Sequence, residues 1–296
     1  MVEVSLVSRS VRGLRFLLPR RFRPEIPTVP VVRLSGIVGF STPLRPGLTL
    51  SSLARVLDRA FGGYRAKAVA LAINSPGGSA VQSHLIFKRI RQLAEEKSVP
   101  VIAFVEDVAA SGGYMIACAA DEIIADETSI VGSIGVLGGS FGFHRLLDKI
   151  GVERRLYTSG EHKAMLDPFL PEKPEDVARL KAIQRDIHDS FIGLVKARRG
   201  PVLESSDIDL FSGEYWTGAK ALQLGLVDRI GDLRTALRER FGEKVETPLV
   251  TGARGFFGRP APGVGGRGFD LWERPSFAED LVSTLEARAL WARYGL

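Results

Sequence analysis

One cysteine in 296 residues excludes an internal disulfide framework. Cys118 lies in the apolar run MIACAA, where packing is the expected role rather than thiol chemistry. No apolar run approaches the roughly 20 residues that span a bilayer, and no apolar core of signal-peptide length precedes a small-residue cleavage site. The expected location is therefore the cytoplasm or the periphery of a prokaryotic inner membrane. Histidine is also sparse, with four residues (His84, His144, His162, His188), so imidazole bases are few.

At 45% hydrophobic and 25% charged residues, the composition is that of a globular chain able to bury a sizeable core. The net charge of +6 is uneven. Residues 1–26 hold six arginines against Glu3 and Glu25, and so supply +4 of it. The rest is too nearly neutral to form a basic nucleic-acid face, and no nucleic acid is expected as a partner. At 100° per residue, Val4, Val7, Val11, Leu14 and Leu18 share one narrow helical face with arginines beside it. Peripheral contact with an anionic membrane through residues 4–23 is one use of that pattern; docking on a sister subunit, or a mobile arm, is another.

From residue 28 onward β-rich and helical stretches alternate. VPVVRLSGIVGF, KAVALAIN, VPVIAFV and DEIIAD read as strands, VQSHLIFKRIRQLAEEK as a helix and MIACAA as a short one. Continuous apolar strands suit a parallel sheet covered on both faces, so the expected class is α/β. A long helix follows, with Pro174, Glu175 and Asp176 in its first turn and Gly200–Pro201 at its end. Residues 252–268 are dominated by glycine, proline and arginine, and Ser276 with Glu279 forms a capping-box pattern ahead of a last helix. The expected organisation is a basic segment at 1–27, a catalytic domain at 28–245, a linker at 246–275 and a C-terminal helix at 276–296.

Five stretches carry chemistry: INSPGGSA (73–80), AASGGY (109–114), VGSIGV (131–136), YTSGEHKAMLDPF (157–169) and WTGAKALQLGLVD (216–228). Each has a plain reading as a turn, a helix cap or a solvated surface. Together they support acyl transfer. A serine between a buried strand and a helix has a backbone amide just after it, that of Gly112. A glycine turn at another strand end can bring a second amide close, and two such donors stabilise an oxyanion. A serine hydroxyl also needs a base. His144 suits a Ser/His/Asp triad and Lys163 a Ser/Lys dyad, and spacing alone does not choose. For a lysine, burial away from carboxylates must bring the pKa from about 10.4 to roughly 7 or 8.

INSPGG, AASGGYMIA, VGSIGV, SGEHKAMLDPF and WTGAKALQLGLVD, in that order across residues 31 to about 235, resemble the signal peptide peptidase A type of serine peptidase. The resemblance implies the crotonase-like, Clp-protease-like fold of β/α units. It implies Ser111 as nucleophile, Lys163 as general base, and the Gly78 and Gly112 amides as oxyanion hole, with Ser133 and Gly77 lining the site. It further implies a ring-like homo-oligomer that cleaves signal-peptide remnants or other hydrophobic, unfolded peptides without ATP, metal or organic cofactor. Two other readings remain at this point: a crotonase-like acyl-CoA enzyme, and an inactive scaffold that binds through its N-terminal helix.

Overall fold

The computed structural model describes residues 26–39, 47–200, 203, 209–251 and 288–295. The arginine-rich segment, the proposed capping box and most of the expected linker lie outside them.

Seven strands form one mainly parallel sheet. They are β1 (Val31–Ser35), β2 (Val69–Ser75), β3 (Val101–Ala110), β4 (Glu122–Ala125), β5 (Ile130–Gly132), β6 (Tyr215–Thr217) and β7 (Arg229–Ile230). The main path runs β1-β2-β3-β4-β7, while β5 pairs with the far half of β3 and carries β6 antiparallel. Between them run α1 (Leu50–Gly62), α2 (Ala80–Lys97), α3 (Gly112–Ala117), α4 (His144–Ile150), α5 (Pro174–Arg199), α6 (Gly218–Gln223) and α7 (Leu233–Phe241).

The apolar runs divide between two faces with the two-residue period of a strand. Val69, Leu71 and Ile73 of β2 and Val101, Ala103 and Val105 of β3 enter one core with α1 and α2. Ala70, Ala72, Ile102 and Phe104 point the other way, against Ala236 and Leu237 of α7. Both faces are covered, which is why these strands read as continuous hydrophobic text. The fold is the expected α/β arrangement of a parallel sheet flanked by helices.

The helix ends follow their signals. The Thr49 and Ser52 side chains cap α1 reciprocally, and Ser79 caps α2 by accepting from the Gln82 amide. Pro174 opens α5 with Glu175 and Asp176 in its first turn, and Lys196, Arg198 and Arg199 stand in its last, matching the helix dipole at both ends.

Two stretches depart from the sequence reading. The run expected as one strand from residue 29 breaks after β1 at Gly36 (φ +112°), and Val38 then bridges to both Leu48 and Gly78. Residues 246–250, placed in the linker from sequence, instead run along β1. The Val29 amide donates to Glu246 O and the Val250 amide to Val31 O, and Val250 is buried.

Candidate active site

β3 is the strand that positions the site. Its first half pairs with β2 and β4; beyond a register shift in the β2 ladder, Val108–Ala110 pair with β5 on the side that β4 occupies earlier. Ser111 follows at once, with φ +50° and ψ −120°, and its amide donates to Gly132 O at 2.8 Å. A non-glycine residue at positive φ is strained, and such strain concentrates where side chains are presented for function. Ser111 stands in the N-cap position of α3, yet its side chain makes no capping hydrogen bond. The helix-cap reading therefore fails, and the hydroxyl is left without an intrahelical duty.

The glycines around it are required by space. A Cβ at Gly112 would stand 2.2 Å from Ser83 Oγ, and one at Gly113 would stand 2.4 Å from Ser75 O. Close approach of α3 to the end of β2 and the start of α2 depends on both. From the other side, a Cβ at Gly77 would stand 2.7 Å from Gly112 N and 2.9 Å from Ser111 Cβ. The SPGG turn is thus pressed against the serine elbow.

Gly78 has φ +139° and is exposed, whereas Gly77 is buried. The Val38 amide donates to Gly77 O, and the Ser79 amide donates to Val38 O, both at 2.8 Å. These two bonds use the Gly77 carbonyl and the Ser79 amide, so the Gly78 N–H is not spent on Val38. Neither the Gly78 nor the Gly112 amide donates to a described residue. The structure thus brings together Ser111, Gly112, Gly77 and Gly78.

Ser133 also joins them. Gly132 pairs with Ala110, so Ser133 lies one residue beyond β5 as Ser111 lies one residue beyond β3. It is buried, has φ +53°, and donates its amide to Glu214 O at 2.6 Å. Gly132 admits the Trp216 ring, whose atoms a Cβ would meet at 2.8 Å. The tryptophan of the fifth motif thereby fixes the third.

The rest of that fifth motif is structural. Tyr114 of α3 is fully buried and donates its hydroxyl to Leu226 O at 2.8 Å. Asp228 accepts from the Ile123 amide and from both terminal nitrogens of the buried Arg199, which also donates to Gly225 O. Together GLVD, α3 and the end of α5 brace the floor beneath Ser111. Cys118 packs there as well, and burial pushes its thiol up to about 12.

No hydrogen bond joins Lys163 to Ser111. The lysine is exposed, and its Nζ makes no hydrogen bond or ion pair with a described residue. His144 lies on the same stretch, at the start of α4, with Nδ1 lacking a partner. No residue between Gly135 and Glu175 is buried. This arm is tied chiefly to itself: the Phe143 and Phe169 rings stand 5.5 Å apart, and Arg154 pairs with Asp167. That ion pair holds the Asp167 carboxyl below its ordinary pKa. The arm nonetheless exposes Leu137, Phe141, Leu146, Ile150, Val152 and Tyr157.

Beside the elbow, α2, α3 and α5 enclose a cleft of about 320 Å³ lined by Val81, Leu85, Met115 and Leu194 among others. Met115 lies one helical turn from Ser111 and donates its amide to Ser111 O. Among the described residues no cluster of histidine, cysteine and carboxylate side chains has the arrangement of a metal site.

Comparison with known proteins places the chain among named relatives. The chain is 54% identical over 287 residues to a Brucella abortus protein named Na(+)/H(+) antiporter NhaA, covering 96% of this chain and 39% of that one. It is 36% identical over 172 residues to the chloroplastic serine protease SPPA of Arabidopsis thaliana, covering 58% of this chain and 25% of the relative. With protease 4 of Haemophilus influenzae it shares 37% identity over 190 residues, covering 64% and 30%. The chain thus spans well under two thirds of each of these relatives. The antiporter name belongs to a protein most of which lies outside the match, and among the described residues no helix is long and apolar enough to cross a membrane. Residues 93–244, from the end of α2 through α7, match the profile of peptidase family S49, and the chain belongs to that family of serine peptidases.

Proposed function

We propose that this chain is an endopeptidase in which Ser111 is the nucleophile, Lys163 the general base, and the Gly78 and Gly112 amides the oxyanion hole. The observation that carries the proposal is the elbow: a serine at φ +50°, free of capping duty, with a glycine turn pressed against it. In the reaction, Ser111 Oγ attacks the scissile carbonyl as its proton passes to the neutral Lys163 amine. Charge developing on the carbonyl oxygen is met by two fixed amides that need not reorganise. The protonated lysine then gives its proton to the leaving amine, which departs and leaves an acyl-serine. Water, deprotonated by the same lysine, hydrolyses the ester and restores both groups. No metal, ATP or organic cofactor enters these steps.

A lysine serves as this base only where it is taken out of water. An arm with no buried residue and a row of exposed apolar side chains has the character of an interface lacking its partner. The economical reading joins the two facts: the chain assembles as a homo-oligomer in which the arm packs on a second copy, and Lys163 is desolvated beside that copy's Ser111. His144, on the same arm, is then a structural residue. The apolar cleft at Val81, Leu85 and Met115 suits hydrophobic side chains of an extended peptide, including signal-peptide remnants. Residues 4–23 would bring the assembly to an anionic membrane surface.

Fluorophosphonate labelling tests the assignment. Wild type labels at Ser111, Ser111→Ala does not, and Lys163→Ala loses labelling while His144→Ala keeps it. Labelling at the wild-type rate in Lys163→Ala rejects the dyad. The acyl-CoA reading makes a different prediction, since that chemistry uses the two amides without a serine: Ser111→Ala would retain full turnover of an acyl-CoA.

A further inference from the structure

We infer that Tyr294 is a positioning residue of the Ser111 centre, acting through Ser133. The inference rests on the dyad reading above and adds a residue from the far end of the chain, outside all five motifs.

Residues 288–292 form a helical turn, and the chain then brings Tyr294 against the end of β3. Its ring packs with Val108 and Ala110, with Ile130 and Trp291 alongside, and it is 7% exposed. The Tyr294 hydroxyl donates to Ser133 Oγ at 3.2 Å in a buried hydrogen bond. Two contacts hold it there. The Tyr215 ring stands edge-on at 5.1 Å, and the Tyr215 hydroxyl donates to Arg293 O at 3.0 Å. Tyr215 belongs to β6, and the preceding Glu214 supplies the carbonyl that fixes the Ser133 amide. Backbone and side chain of Ser133 are thus held from the same quarter.

The ladder puts this contact beside the nucleophile. Ala110 pairs with Gly132 and the Ser111 amide donates to Gly132 O at 2.8 Å, so Ser111 and Ser133 follow directly on two paired strand ends. A base working on Ser111 comes within reach of Ser133. A serine hydroxyl has one proton and two lone pairs. When Tyr294 donates to it, the Ser133 proton is left to point at a second acceptor. The lone pair of a neutral lysine amine is such an acceptor, and that contact holds the amine in its base form. Without Tyr294 the hydroxyl rotates freely and this orientation is lost.

The plain alternative is that Tyr294 only anchors the C-terminal segment. The full chain is compared as wild type, Tyr294→Phe, Ser133→Ala and the double variant, with Ser111→Ala and Lys163→Ala as references. A fluorophosphonate is the probe, read as maximal labelling rate and half-saturating concentration, with thermal melting measured on each protein. Phenylalanine keeps the ring, so folding is preserved, and Ser133→Ala approaches the same bond from the other end. Each single change lowers the maximal rate about threefold to tenfold, the worth of one oriented hydrogen bond, with half-saturation unchanged. The double variant labels no more slowly than Ser133→Ala alone. A wild-type rate in Tyr294→Phe, or losses that multiply in the double variant, overturns the inference. Failure of the dyad reading shows separately, as wild-type labelling in Lys163→Ala.

Discussion

Gly77 lies directly against Gly112: a side chain on the first would begin 2.7 Å from the amide nitrogen of the second. Two loops far apart in sequence are locked by the absence of both side chains. Gly77→Ala also meets Ala110 O at 2.8 Å and must hold φ +94°. The expected result is a loss of about 10²-fold or more in kcat through displacement of the proposed oxyanion donors, measured by peptide hydrolysis on protein whose far-ultraviolet circular dichroism is unchanged.

Tyr114→Phe removes a hydroxyl and leaves Leu226 O buried without its donor. A cost of about 1–3 kcal/mol in unfolding free energy is expected, read from the urea midpoint at constant m-value. A midpoint equal to wild type would show that the GLVD turn does not depend on α3.

Cys118 is fully buried with its thiol pushed up from 9.0 to about 12. In the native state it stays unmodified by a thiol reagent at pH 8 and reacts at once in denaturant. Because the folded pKa is raised, its contribution to stability is complete below pH 9.0 and is lost as pH rises toward about 12. Cys118→Ala flattens that part of the stability curve.

Ile150 and Tyr157 are 60% and 88% exposed on the arm. Replacing both by serine should leave the melting of the isolated chain nearly unchanged, since no core contact is lost. It should shift the proposed oligomer toward smaller species in analytical ultracentrifugation and lower peptidase activity in parallel. Full activity in a dissociated variant would detach the arm from catalysis.

Much of this was legible in the sequence because local signals and burial agreed. The runs in β2 and β3 were strands because both faces are covered, and Pro174 and Gly200 bounded α5 as their backbone preferences require. Ser111 with its two glycines was legible as an elbow, although the strained φ and the missing cap bond needed coordinates. WTGAKALQLGLVD was read with the chemistry but is bracing: Trp216 lies on Gly132, and Leu226 O takes the Tyr114 hydroxyl. Such pairings join residues about a hundred apart, and no periodicity encodes them. The environment of Lys163 was illegible for another reason. A lysine base calls for burial, but no residue from 136 to 174 is buried among the described residues. Tyr294 gave no motif at all, because its meaning lies in a contact with Ser133 across 161 positions.

The central claim is that Ser111 of one copy works with Lys163 of another, and subunit complementation tests it most directly. Ser111→Ala and Lys163→Ala proteins, each inactive alone, are unfolded and refolded together at equal concentration, and peptide hydrolysis is measured. Random assembly of sites shared between two copies predicts about a quarter of wild-type activity. No recovery in oligomers shown to contain both variants would place the base and the nucleophile in the same chain and contradict the account.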